Sequence, residues 1–208
     1  MMKSTNNEAL DLVRTALKQT DDAIQKFTTH ESLPEPIDCK PGCHYCCFNQ
    51  PMVTPLEALL IGHQVNQTFT DHEKLELSDR INTLLAQTDG LSPDEIVMMR
   101  HEWTCIFLQN GICMVYQVRP AVCRACSSTN AKHCEMIFKS RDHMSRLRCY
   151  QQIHQIFKTV HTELVNQCRK MGCQSDSLRI AEAIRDFLKH PNPIEAWLKG
   201  EIVFHVRI

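Results

Sequence analysis

Residues 38–51 read DCKPGCHYCCFNQP and contain four cysteines: Cys39, Cys43, Cys46 and Cys47. Neighbouring Cα atoms lie about 3.8 Å apart, closer than the roughly 4.4–6.8 Å of a relaxed disulfide, so Cys46 and Cys47 are poor partners for each other. Several thiolates in so short a stretch repel one another and stay protonated unless a cation holds them. The spacing therefore favours a metal site over a disulfide framework or a redox pair.

The composition of the chain also favours metal binding. The chain has 208 residues, enough for a substantial core, and a formal net charge of -1, so no overall basic field attracts nucleic acid or acidic lipid. The start, MMKSTNNEALDLV, contains no apolar run of signal-peptide length, and no later run is long enough to span a membrane. These features predict a cytosolic protein without nucleic-acid or membrane partners. In a reducing compartment, twelve cysteines indicate metal binding or redox chemistry rather than disulfides.

Helical patterns cover most of the remaining sequence. Three capping boxes, each a Ser or Thr followed three residues later by Glu, predict helices that begin after Thr54, Thr70 and Ser92. Apolar residues at three- and four-residue steps predict a helix over residues 6–29. No alternating strand pattern and no internal repeat is present.

The C-terminal part of the chain continues the helical pattern. Apolar residues from Leu147 to Met171 predict a long helix that ends near Gly172, and SLRIAEAIRDFLKH and PIEAWLKGEIVF predict shorter helices after it. We therefore expect a mainly α fold, a single helical domain in which irregular cysteine-rich loops form a metal site between helices. Its expected parts are an N-terminal helix (1–36), the chelating domain (37–138) and C-terminal helices packed on it (139–208).

A second group of thiols lies in residues 105–134, which read CIFLQNGICMVYQVRPAVCRACSSTNAKHC: Cys105, Cys113, Cys123, Cys126 and Cys134. The QNG sequence is a turn signal, so Cys105 and Cys113 can flank a tight loop and converge. Pro120 is expected to begin a short helix that places Cys123 and Cys126, three residues apart, on one face.

Two arginines flank this last pair of cysteines. Four thiolates on a divalent ion or a four-iron cluster leave net negative charge, which the guanidinium groups of Arg119 and Arg124 would offset. Solvated surface arginines are the ordinary alternative. At this point both interpretations are open.

The two cysteine segments resemble the YkgJ-like cysteine-cluster family of bacterial proteins, described as a zinc- or iron-chelating domain. The family pattern has a leading CxxxCxxCC-type group, then Cys-x-x-Leu, Cys-x-x-Tyr and Arg-Pro-x-x-Cys-Arg. The matching residues are Cys39, Cys43, Cys46, Cys47, Cys105, Leu108, Cys113, Tyr116, Arg119, Pro120, Cys123 and Arg124. The resemblance covers residues 39–134 and implies that these cysteines bind metal; Cys126 and Cys134 are less general in the family. We assign Tyr116, Arg119 and Arg124 as cofactor-binding residues.

Zinc and iron both suit this set of thiols. Zinc prefers closed Cys₄ sites, and eight thiols can build two of them. An iron–sulfur cluster takes four thiolates and leaves the others for a second metal or free. The spacing Cys39-x3-Cys43-x2-Cys46 resembles the cluster-binding triplet of radical S-adenosylmethionine enzymes, although the helical pattern does not supply their partial α/β barrel. The metal is therefore zinc or iron, and this cysteine-only set does not choose between them.

Three classes of function follow. The first is a metal-binding protein whose cluster is structural or handles metal. The second is an iron–sulfur, S-adenosylmethionine-dependent protein-modifying enzyme related to flagellin lysine methylases, which carry a similar domain. The third is a zinc-stabilised module that binds a protein partner. Gly-rich nucleotide-binding motifs are absent from the sequence, and whether the protein is an enzyme is left open.

The remaining candidate residues receive structural interpretations. His44, His101 and His133 lie beside cluster cysteines, but enough thiols exist without them. Small apolar fillers or thiols near helix caps are expected at Cys149, Cys168 and Cys173. Core positions are expected at Met98, Met99 and Phe107.

Overall fold

The computed structural model describes residues 5–30, 33–40, 42–141, 145 and 147–205, and helices make up most of them. In chain order these helices are α1 (Asn6–His30), α2 (Pro55–Thr68), α3 (Asp71–Gln87), α4 (Pro93–Met98), α5 (Ala121–Ala125), α6 (Ala131–Ser140), α7 (Gln151–Lys170), α8 (Ile180–Lys189) and α9 (Pro193–Leu198). Four short strands, β1 (Met52–Val53), β2 (Leu108–Gln109), β3 (Ile112–Cys113) and β4 (Leu178–Arg179), form two antiparallel pairs, β1 with β4 and β2 with β3. The predicted mainly α class is confirmed.

All three predicted capping boxes are present. At the start of α2, the Glu57 amide donates to Thr54 Oγ at 3.3 Å and the Thr54 amide donates to Glu57 Oε2 at 2.8 Å. The same reciprocal bonds begin α3 at Thr70 and α4 at Ser92. Each box satisfies backbone N–H groups that the first helical turn leaves without partners.

One hydrophobic core joins the N-terminal and C-terminal helices. Helix α1 packs against α2, α5 and α7, and α2 also packs against α8. The largest fully buried side chains include Trp197, Phe107, Phe187 and Phe204, from different parts of the chain. The N-terminal helix, the helices between the cysteine segments and the C-terminal helices therefore bury their apolar faces together, as a single domain. None of the described helices combines the length and apolar character needed to cross a membrane.

Helix α7 begins later than the apolar pattern predicts. Its first residue is Gln151, and Leu147 precedes it with 38% of its surface exposed. Tyr150 has an extended backbone, and its hydroxyl donates to the Glu35 carbonyl at 2.6 Å. This contact holds the chain in an extended approach to the helix. The predicted end is correct, since Gly172 follows α7 with a left-handed φ of 70°.

Two further sequence predictions about packing need correction. Met98 and Met99 are 56% and 41% exposed, so they are not core residues, because the short helix α4 buries Ile96 and ends at Met98. Phe107 is 1% exposed, as expected of a core position. The sequence SLRIAEAIRDFLKH is not helical throughout, because Leu178 and Arg179 pair with β1 before α8 begins.

Gly62 in α2 is required by the close approach of α8. A Cβ atom at this position would lie 2.3 Å from two ring carbons of Phe187. Gly62→Ala should therefore lower the free energy of unfolding by about 1–3 kcal/mol, as overpacked cores do, despite the better helix propensity of alanine. Urea denaturation of the variant measures this change.

Phe187→Leu provides the control for that experiment. In a chain that already carries Phe187→Leu, Gly62→Ala should lower the free energy of unfolding by less than it does in the wild type. The smaller leucine side chain leaves room for the new methyl group. Equal costs in both backgrounds would show that contact with Phe187 is not the cause.

Candidate metal centre

A short 3-10 turn, Tyr45–Phe48, carries Cys46 and Cys47. The Cys47 amide donates to the His44 carbonyl at 2.9 Å, which closes the turn. Its aromatic side chains rest on α6, with the Phe48 and Phe138 ring centroids 4.1 Å apart. Aromatic packing thus fixes the paired cysteines against the helix that contains Cys134.

The stretch before this turn binds the loop that leads into α6. The Ser128 amide donates to Cys39 Sγ at 3.1 Å, and the Asp38 amide donates to the Ser128 carbonyl at 2.9 Å. On the other side, the Ala131 amide donates to Asp38 Oδ2 at 2.8 Å. These bonds place Cys39 beside the segment that follows Cys126, although 89 residues separate Cys39 from Ser128.

The predicted turn between Cys105 and Cys113 is a two-residue β-hairpin loop. Asn110 and Gly111 have φ values of 51° and 77°, and β2 pairs with β3 so that Leu108 faces Cys113. Asn-Gly favours this geometry because both residues tolerate positive φ. The Cys105 amide donates to the Cys47 carbonyl at 2.6 Å, so the base of the hairpin is attached to the first cysteine segment.

Helix α5 begins directly after Pro120, contains Cys123 and ends just before Cys126. Its first amide, that of Ala121, donates to Glu57 Oε1 at 2.9 Å. The sequence identified Glu57 as part of a capping box but gave no sign of this second contact. The carboxylate therefore links the beginning of α5 to the beginning of α2.

Arg124 holds the other side of α5. It is 9% exposed, its guanidinium forms an ion pair with Asp21 of α1, and its Nε donates to the Arg119 carbonyl at 2.9 Å. Its Nη2 donates to the Gln117 carbonyl at 2.7 Å. The guanidinium is thus engaged by α1 and by the turn before α5.

Arg119 and Tyr116 lie nearer the thiols. The Arg119 guanidinium carbon is 3.9 Å from the centre of the Tyr116 ring, and its charge contributes to lowering the pKa of Cys113 against the raising effect of burial. Tyr116 itself is 56% exposed. Both arginines reach Asp21, with Arg119 Nη2 lying 4.0 Å from Asp21 Oδ1, but the charge of Arg119 also acts on Cys113.

Three cysteine sulfurs accept a hydrogen bond from the backbone N–H two residues further on. The donors are Tyr45 for Cys43, Phe107 for Cys105 and Val115 for Cys113, and each bond lowers the pKa of its thiol. Hydrogen bonds of this kind orient a ligand and stabilise its charged form. The local backbone therefore suits these thiols to bind a cation as thiolates.

Burial has the opposite effect on the same groups. It raises the pKa of Cys105 to about 12, and it raises the pKa values of Cys113 and Cys123 as well. Charge on neighbouring thiols is a further cause for all three. Without a cation these sulfurs remain protonated at neutral pH.

Cys46 differs from the other thiols. Hydrogen bonds from Cys126 and then from Cys47 lower its pKa, and the corresponding bonds to Cys46 raise the pKa values of both donors. Cys46 is therefore the first of the three to ionise.

Besides burial and hydrogen bonds, charge on neighbouring thiols links the other cysteines into two overlapping neighbourhoods, and Cys126 is coupled to Cys123 as well as to Cys39. Cys39 and Cys43 are each raised in pKa by charge on Cys46 and on Cys134. Cys47 is raised by charge on Cys105 and Cys113, and Cys123 by charge on the same two thiols. The cysteines of both neighbourhoods share Cys46 as a neighbour. Among the described residues, however, no three Cys, His, Asp or Glu side chains have the arrangement of a metal site.

The histidines beside the cluster have other contacts. Nδ1 of His44 lies 3.0 Å from the Gly42 carbonyl oxygen, and Nε2 of His101 lies 2.9 Å from Glu102 Oε1. The His133 amide donates to the Asn130 side chain that caps α6. Their role as ligands is neither needed nor indicated by these contacts.

The three cysteines outside the cluster differ in burial. Cys168 is fully buried near the end of α7, and Cys173 is buried just after it, as expected of fillers and cap-region thiols. Cys149 is exposed and directly precedes Tyr150, the N-cap of α7, so it is a thiol near a helix cap rather than a packed filler. It precedes α7, in the extended stretch that Tyr150 attaches to Glu35.

A groove of about 1150 Å³ lies beside the cysteine segments, and no described cysteine lines it. Asn49 and Gln50, which follow the 3-10 turn, form one end, and Arg100 and Arg179 contribute basic side chains. Apolar walls come from Ile96 and other residues of α4, β4 and α8. A molecule in this groove would meet Asn49 and Gln50 rather than a cysteine thiol.

A comparison with protein-family models finds a match over residues 38–169 to CxxCxxCC, described as "Putative zinc- or iron-chelating domain". No curated protein and no solved structure matches the chain significantly. The matched range contains both cysteine segments and extends through most of α7.

The unequal thiols can be tested in the metal-free chain. We expect Cys46 to ionise below the ordinary thiol range, and Cys105 only near the pKa of about 12 that burial gives it. Cys126→Ala should raise the pKa of Cys46, because it removes the larger hydrogen bond to the thiolate. Titration of the cysteine ¹³Cβ shifts by NMR measures both. An ordinary pKa for Cys46 in the wild type, unchanged in the variant, would contradict the assignment.

Proposed function

Because this chain belongs to the CxxCxxCC family of zinc- or iron-chelating domains, we propose that it is a metal-binding protein whose cysteine cluster chelates zinc or iron. The observation that carries the proposal is the meeting of two cysteine segments, joined by the bond between the Cys105 amide and the Cys47 carbonyl. Partly buried thiols gathered in this way gain most from a cation that replaces their protons.

The proposed ligands are the nine cysteines of the two segments, divided between two neighbouring centres. The first centre draws on Cys39, Cys43, Cys46, Cys126 and Cys134, one thiol more than a four-coordinate ion needs. The second centre draws on Cys47, Cys105, Cys113 and Cys123. Charge on Cys134 acts on Cys39 and Cys43, and charge on Cys105 and Cys113 acts on Cys47 and Cys123, which supports the division; Cys46 and Cys126 have couplings to both sets.

Cys46 and Cys47 belong to different sets for a geometric reason. Successive side chains on one backbone point in different directions, so a single centre could use both only with strain. Cys46 receives the hydrogen bond from Cys126, whereas Cys47 is coupled to Cys105 and Cys113. The adjacent pair would thus supply one ligand to each of two centres.

Arg119 and Tyr116 complete the proposed site at the second centre. The stacked guanidinium lies close enough to Cys113 to favour its thiolate, which would reduce the charge left by four sulfurs. Arg124 would contribute through position, since its ion pair with Asp21 anchors α5 to α1.

All-sulfur ligation suits zinc and iron alike. A zinc ion would supply a cross-link between segments, with an apparent binding energy of about 10–16 kcal/mol in small zinc domains. An iron–sulfur cluster would add redox capacity. A role as an S-adenosylmethionine-dependent enzyme would require a substrate site at the cluster, and the groove at Asn49 and Gln50 has no cysteine in its lining. Metal binding without assigned catalysis is therefore the better supported function.

We expect the chain to retain zinc or iron when it is purified without oxygen. Metal analysis, a visible spectrum and an assay for acid-labile sulfide identify which. A brown protein with iron and sulfide indicates a cluster, and a colourless zinc protein indicates closed thiolate sites. A chain with neither metal and with twelve freely titratable thiols would contradict the proposal.

Separate substitutions should show that the adjacent cysteines serve different centres. Cys46→Ser and Cys47→Ser should each reduce the bound metal, but each should make different cysteines reactive to alkylation. These are Cys39 and Cys43 in the first variant, and Cys105 and Cys113 in the second. Thiol alkylation mapped by mass spectrometry measures this. Cys149→Ser, at an exposed thiol outside both sets, is the control. Identical patterns in the two variants would contradict the division.

A further inference from the structure

Glu57 differs from the other two glutamates that form capping boxes. In all three boxes, Oε2 accepts bonds from the cap residue's amide at 2.7–2.8 Å and from its hydroxyl at 2.8–2.9 Å. Glu73 and Glu95 make these bonds at exposed helix ends. Glu57 is 2% exposed, and its Oε1 also accepts the Ala121 amide at 2.9 Å. One carboxylate therefore serves the beginnings of two helices.

Helix α5 depends on this oxygen because it has no side-chain cap of its own. Its N-cap residue is Pro120, whose side chain has no hydrogen-bond acceptor, and the helix is five residues long. A helix so short has little internal stability, and a buried N–H without a partner is costly. A charged acceptor forms a stronger bond than a neutral one. Glu57 thus supplies from α2 the cap that the sequence around Pro120 lacks.

The cap determines where two candidate ligands lie. Cys123 is the third residue of α5, and the Cys126 amide donates to the Val122 carbonyl at 3.1 Å at the end of the helix. With Glu57 at its start and the Arg124–Asp21 ion pair on its side, α5 is held against both α2 and α1. Glu57 is not itself a candidate ligand, because both of its oxygens already accept hydrogen bonds.

We infer that Glu57 is a positioning residue for metal binding: through the Ala121 amide it fixes α5 so that Cys123 and Cys126 reach the thiols of the other segments. The inference rests on the proposed function. It assigns to a capping-box glutamate a role that its local sequence does not reveal. Glutamine cannot replace it fully, because its side chain ends in one carbonyl oxygen and one NH₂ group. Whichever way the amide is turned, the NH₂ group faces another hydrogen-bond donor.

The test uses the full-length chain, reduced and reconstituted with Zn²⁺ alone. Glu57→Gln should lower zinc affinity about 10- to 100-fold, the usual effect of losing a group that orients a ligand. As the zinc concentration is lowered, Cys123 and Cys126 should be alkylated first, before Cys105 and Cys113, because the substitution displaces the helix that carries them. Glu73→Gln, which changes the same type of box at an exposed helix end, should leave all nine candidate ligands as protected as in the wild type.

A second variant separates the two oxygens of Glu57. Thr54→Val removes the local hydroxyl of the capping box but leaves the Ala121 bond available. It should lower the melting temperature and leave Cys123 and Cys126 protected. Because it does not disturb Oε1, it tests the inference even if Glu57→Gln folds poorly.

The outcomes distinguish the inference from the proposed function. A wild-type chain whose cysteines are unprotected both after reconstitution with Zn²⁺ and as purified without oxygen overturns both. Protection in the wild type that is unchanged in Glu57→Gln overturns the positioning role alone. The same is true if Glu57→Gln deprotects all cysteines together, or if Thr54→Val exposes Cys123 and Cys126 as strongly as Glu57→Gln does.

Discussion

Removal of sulfur from water is the constraint on which the cysteine segments depend. Burial raises the pKa of Cys105 to about 12 and raises that of Cys123 as well, so these groups pack as neutral thiols unless a cation compensates their charge. The backbone is already prepared for the charged form, because N–H groups point at the sulfurs of Cys43, Cys105 and Cys113. If these thiols bind metal as proposed, metal binding and folding are linked in this domain: the thiols must lose protons, and their geometry exists only where the segments meet.

The helices supply the rigidity that the cysteine loops lack. The second cysteine segment adds Ile106, Phe107 and Val115 to the core, and polar contacts attach the cysteine segments to neighbouring elements: Ser128 to Cys39, Cys105 to Cys47, and Ala121 to Glu57. Those elements are in turn fixed by the shared core of α1, α2, α7 and α8. The N-terminal helix thus has a direct part in the site through Asp21, although it contains no cysteine.

The separation between the thiols and the neighbouring groove bears on the kind of function. The groove adjoins the cluster through Asn49 and Gln50, but its walls come from α4, β4 and α8. A structural or metal-handling centre needs no opening toward such a groove, whereas a catalytic centre needs an open coordination position and a substrate beside it.

The sequence by itself determined the helical class, the three capping boxes, the Asn-Gly hairpin and the family, because each depends on residues near one another in the chain. The ligand set and the three-part division of the chain remain predictions. Only the tertiary structure decided that Leu147 precedes α7, that Met98 and Met99 are exposed, and that Arg124 turns toward Asp21. It also decided that Glu57 caps a helix 64 residues away. Local patterns report hydrogen bonds within one turn, but burial and long-range bonds depend on which surfaces the folded chain brings together.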